Sequence, residues 1–182
     1  MTLKLLVLES QPKFEGTPFV NTLLDPYRKD PSLPRNMETE IASDASITTV
    51  LEGADYLVLG ADKVLHNGNI SNKIESLTAA MLVKTMSTNR KTVTVFDTGK
   101  VSWMGDIPKT GYNDPTELTN VWPSKGAEQV KEDQPKGFKI QVKNANFEWA
   151  PHESERGLLD DNGIGDPAAE GKALGKRLFS DL

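Results

Sequence analysis

Asp62, Asn72 and Lys73 are the residues whose types and spacing best suit chemistry. Asp62 follows an apolar run, residues 56–60, that reads as a strand, so its carboxyl stands near a strand's carboxyl end. Open α/β sheets bind ligands there. An acid in that place transfers a proton or binds a hydroxyl, or it accepts backbone amides of its own loop; spacing fits both roles. Asn72 and Lys73 read as the start of a helix reaching about Ser87, with Ile74, Leu77, Ala80, Met81 and Lys84 at helical spacing. Asn72 and Glu75 have the offset of a capping box. Free N–H groups at a helix start suit a phosphate or a sugar hydroxyl; the plainer reading is a cap followed by a solvated lysine. Glu75 opposes a phosphate, because it puts negative charge where the anion would sit.

A second candidate group is the loop Glu9-Ser10-Gln11-Pro12, with Asp44 after the next strand. Following the first strand, the loop is expected on the same sheet edge as Asp62. Gly16 permits close backbone approach. The loop lacks the Gly-x-Gly-x-x-Gly of dinucleotide folds, and the chain has no P-loop, so no nucleotide-derived cofactor is expected. Lys63 and Glu9 complete the polar set, which reads equally as a site or as a wet rim.

The elements that must position these groups alternate strand and helix. Residues 3–9 form a continuous apolar run, the pattern of a strand buried on both faces. Thr17 and Pro18 predict the start of a short helix towards Leu24, and residues 25–36, with three prolines, an exposed connection. Residues 38–42 predict a second strand, with Ser43 or Asp44 capping a helix to Glu52. Residues 55–60 and 91–97 predict two more strands. This is the alternation of a Rossmann-like α/β fold, a mostly parallel sheet with helices on both faces. Beyond Asp97 the pattern loosens. Asn113-Asp114-Pro115 predicts a turn, and residues 138–142 and 146–149 two short strands. Residues 1–165 read as one domain and 166–182 as a C-terminal surface helix or mobile tail. Trp149 reads as cover for a core edge; Trp103 and Trp122 fit either core cover or an interface.

Composition narrows the function classes. The chain has 182 residues and a net charge of −5, with no basic face for nucleic acid and no attraction to an anionic membrane surface. No apolar run approaches the ~20 residues of a membrane helix. The absence of cysteine excludes disulfides and thiolate nucleophiles and fits a reducing, cytoplasmic compartment. His66 and His152 lack ligand spacing, so no metal site is expected.

Several motifs occur in an order that resembles one superfamily. They are Glu9-Ser10-Gln11-Pro12 with Phe14-Glu15-Gly16, Ser43-Asp44-Ala45, Gly60-Ala61-Asp62-Lys63-Val64, Asn67-Gly68 and Asn72-Lys73-Ile74. Asn113-Asp114-Pro115-Thr116-Glu117-Leu118 and Phe147-Glu148-Trp149-Ala150-Pro151 continue it. The superfamily comprises the alpha, beta and delta subunits of translation initiation factor 2B together with methylthioribose-1-phosphate and ribose-1,5-bisphosphate isomerases. The resemblance spans residues 3 to about 165 and covers the carboxyl-terminal half of a typical member, so it suggests an excised domain or a shortened relative. It implies a Rossmann-like domain that carries dimerisation, with itself or related subunits, and a sugar-phosphate or nucleotide pocket.

In the isomerase branch the resemblance would make Asp62 the catalytic acid/base and Asn72 and Lys73 substrate-binding; Gln11 and Asp44 are further candidate ligand-binding residues on the same edge. Three departures argue otherwise. The catalytic cysteine of those enzymes, which lies upstream of this domain, is absent. The arginine of the usual Glu-Ser-Arg-Pro loop is Gln11, which removes a permanently charged, bidentate phosphate partner. The usual glycine after Asn-Lys-Ile is Glu75. The resemblance therefore implies a regulatory or assembly domain, not an enzyme, with an aldose–ketose isomerase as the alternative.

Overall fold

The computed structural model describes residues 2–33, 36–65, 67–86, 90–102, 111–124, 137–151, 158–160 and 163–165. His66, His152, Trp103 and the segment 166–182 lie outside the described residues. In chain order the elements are β1 (Leu3–Leu8), α1 (Gly16–Lys29), β2 (Met37–Ala42), α2 (Ile47–Glu52), β3 (Tyr56–Gly60), β4 (Lys63–Leu65) and β5 (Ile70–Lys73). There follow α3 (Ser76–Met86), β6 (Lys91–Val95), β7 (Val101–Ser102), α4 (Thr116–Thr119), β8 (Phe147–Ala150), β9 (Leu158–Asp160) and β10 (Gly163–Gly165). Two compact units result, Met1–Glu52 with Asp114–Val142, and Gly53–Asn113 with Lys143–Leu182.

The first unit is built on a β–α–β crossover. β1 and β2 pair in parallel, Leu3 opposite Met37 through Leu8 opposite Ala42, and α1 connects them. Burial of β1 on both faces does not hold: Leu3 is 58 % exposed, and no residue of the strand is fully buried. Helix α1 also departs from expectation. It starts at Gly16 without a side-chain cap and continues through Pro26 to Lys29. Proline lacks an N–H and interrupts one helical bond, but the last turn is held by other means. Asp30 donates its N–H to the Pro26 carbonyl at 2.9 Å, and Lys29 pairs with Asp25 at 2.9 Å. Arg28 and Lys29 lie at the negative end of the helix dipole.

The second unit holds two four-stranded sheets. One has the order β10-β9-β6-β3, with β3, β6 and β9 parallel and β10 antiparallel to β9. The other has the order β7-β4-β5-β8, antiparallel except for the β4–β7 pair. The molecule is thus mixed α/β, but the expected mostly parallel sheet is replaced, among the described residues, by three sheets, one of them largely antiparallel. The reason lies in Asn67-Gly68. Gly68 takes φ +85°, its N–H donates to Leu65 O at 2.8 Å, and Asn67 Oδ1 accepts the Asn69 N–H at 3.0 Å. This reverses the chain as Asn-Gly hairpins do, so residues 70–73 run back as a strand, with Ile70 opposite Val64 and Ser71 opposite Lys63 of β4. The helix start expected at Asn72-Lys73 is corrected accordingly: α3 begins at Ser76.

A core of Ala61, Val64, Ile70, Phe96, Val101 and Ala150, with Leu77 packed against it, organises this unit. α3 presents the buried Ala79, Ala80 and Val83 and lies against β3, β6 and β8. Residues 138–142, expected as a strand, have no strand assignment, whereas 146–149 overlaps β8. Trp149 on β8 is half-buried. β9 and β10 extend the sheet of β3 and β6. No helix among the described residues is long and apolar enough to cross a membrane.

Candidate functional site

The candidate residues fall into two groups, one in each unit. Gln11 and Asp44 form the first. The turn after β1 is tightly wound: Ser10 and Phe14 take φ +61° and +53°, and Gly16 donates its N–H to Glu9 O at 3.1 Å. A positive φ disfavours residues with a Cβ, so the turn needs an outside anchor. Asp44 supplies it. One carboxylate oxygen accepts the Ser10 N–H at 2.9 Å and the other the Gln11 N–H at 2.6 Å. Asp44 is buried, and two charge-assisted bonds compensate its lost hydration. Its expected capping of the following turn is not made: no side chain caps the short 3-10 helix at Asp44–Ser46, and Ser43 Oγ lies 2.9 Å from Ser46 Oγ. The Gln11 amide donates to the Glu9 carboxylate. The loop therefore holds itself together with the polar groups that a ligand would address.

Asp62, Asn72 and Lys73 form the second group. Asp62 leaves β3 through Ala61, whose carbonyl accepts Lys100 Nζ at 2.7 Å. The Asp62 N–H donates to Ser71 O at 2.9 Å, which sets Asp62 beside the strand carrying Asn72. Its side chain is exposed, and its carboxylate has no hydrogen-bond partner among the described residues. Asn72 and Lys73 are half-buried on β5 and pair with Glu148 and Phe147 of β8. Asn72 does not cap the backbone of α3; its Nδ2 donates to Ser76 Oγ at 2.8 Å.

Glu148 is the residue that sequence reasoning passed over. Its Oε1 accepts the N–H of Leu77, in the first turn of α3, at 2.9 Å across 71 residues. A carboxylate at this end of a helix satisfies an orphan amide and complements the dipole. An anion approaching the start of α3 would compete with it. Glu75, just before the helix, has φ +85°. The only available signal for Glu148 was its place in Phe147-Glu148-Trp149, which gives no partner.

Asn113-Asp114-Pro115 forms the predicted turn. Asp114 Oδ1 accepts the Thr116 N–H at 2.8 Å at the start of α4. That bond, helped by the Thr116 hydroxyl, holds the Asp114 carboxyl below its ordinary pKa. Among the described residues no group of three or more His, Asp or Glu side chains is placed to hold a metal ion.

The translation initiation factor eIF-2B of Pyrococcus horikoshii OT3 superposes with a TM-score of 0.66 at 18 % identity, over 93 % of this chain and 51 % of that one. The 5-methylthioribose 1-phosphate isomerase of the same organism gives 0.68 at 22 %, over 98 % and 46 %. The delta subunit of eIF-2B from A. fulgidus gives 0.67 at 18 %, over 92 % and 44 %. The chain spans about half the length of these proteins, and at such identities the likeness establishes the fold alone. A search of the curated proteins finds no match. The model of the initiation factor 2 subunit family matches residues 1–167, and the chain belongs to that family.

Proposed function

We propose that this chain is a regulatory or assembly module of the initiation factor 2 subunit family, non-catalytic and acting in the cytoplasm through pairing with itself or with related subunits. The observation that carries this reading is the commitment of the candidate ligand groups to the fold. Asp44 is occupied by two backbone amides, Asn72 donates to Ser76, and the Leu77 amide is held by Glu148. Exposure of Tyr56, Val58 and Val95 on one face of the β3–β6 pair supports a role in protein contact. A sugar phosphate or nucleotide bound without turnover is compatible with this role.

One observation favours a second reading, an aldose–ketose isomerase. The Asp62 carboxylate has no partner among the described residues and remains available to move a proton between adjacent sugar carbons. A general base alone supplies roughly 10²–10⁴-fold, and the rest must come from anchoring the phosphate. The arginine expected for that task is Gln11, a neutral side chain engaged with Glu9.

Calorimetric titration with ribose 5-phosphate, ribose 1,5-bisphosphate, methylthioribose 1-phosphate and AMP, alongside a turnover assay and light scattering, separates the two. The regulatory reading expects a dimer at micromolar concentration and no turnover. Turnover lost in Asp62→Asn would establish the isomerase instead. A monomer throughout that range would remove the self-pairing part of the proposal.

A further inference from the structure

We draw no further inference here: the strongest candidate, the exposed apolar face of the β3–β6 pair carrying Tyr56, Val58 and Val95, has nothing in the structure to show what covers it.

Discussion

Glu148 on β8 accepts the backbone N–H of Leu77 at 2.9 Å and so caps α3 from another strand. The same residue pairs in register with Asn72, whose side chain reaches Ser76 one residue before Leu77. The helix start and the β5–β8 ladder are thereby one polar assembly. Removing the carboxylate leaves a helix amide without its acceptor, a loss of about 1–2 kcal/mol. Glu148→Ala is expected to lower the urea midpoint by that equivalent. Glu148→Gln keeps an acceptor oxygen and should lose less. Equal losses in the two variants would mean that Glu148 acts through packing alone.

Glu75 occupies a backbone position unsuited to it. A left-handed conformation costs an L-residue about 1–2 kcal/mol, and Glu75 adopts φ +85°. Glycine removes that strain but gives the unfolded chain more freedom, worth about 0.4–1 kcal/mol. Glu75→Gly should therefore be more stable than Glu75→Ala, which lacks the carboxylate equally, by about 0.5–1 kcal/mol in denaturant unfolding. Glu75→Ala retains the Cβ and should give no comparable gain. Should alanine stabilise as much as glycine, charge would be the cause and not backbone strain.

These two residues mark how far the sequence could be read. The segments 3–9, 38–42, 55–60 and 91–97 became β1, β2, β3 and β6, because strand formation there follows from local composition. The helix start read at Asn72 fails for a physical reason. The offset of Asn72 from Glu75 imitates a capping box, yet the cap of α3 comes from Glu148, 71 residues away, which no local pattern reveals. Asn67-Gly68 is a short-range turn signal, and a strand at 70–73 follows once the chain is made to turn back. β9 and β10, three residues each, are too short to carry a period. Asp44 was recognised as a polar residue of interest, but its employment by Ser10 and Gln11 depends on pairing β1 with β2. Likewise Glu75 stands where the resembled motif has glycine, and its φ of +85° is one that glycine adopts without strain.

The Asp114 carboxyl gives a pH-dependent signature. Its pKa is lowered first by the Thr116 backbone N–H and then by the Thr116 hydroxyl. A folded-state pKa below the unfolded one means that the unfolded chain binds more protons in that interval. The contribution to stability is therefore present above the unfolded pKa and fades as pH falls through the folded one. NMR titration should place Asp114 below a free aspartate. Thr116→Ala should raise its midpoint part of the way, since the backbone donor remains. A midpoint at the ordinary value in the unsubstituted protein would contradict the hydrogen-bonded turn.

Gly16 offers the severest test of the β1–α1 junction. A Cβ placed there would lie 2.2 Å from the Leu8 carbonyl oxygen, 3.0 Å from Glu9 Cα and 3.1 Å from Leu8 C. All three are backbone atoms, so no side-chain rotation relieves the clash, and α1 would have to move away from the end of β1. Alanine's better helix propensity returns about 1 kcal/mol, less than overpacking of this severity costs, about 3 kcal/mol or more. Gly16→Ala should accordingly lower the unfolding free energy by about 2 kcal/mol or more. Gly53→Ala is the control, because a Cβ there meets nothing within 4 Å and should be close to neutral. If both variants unfold at the same denaturant concentration as the parent, α1 does not start against β1 as described.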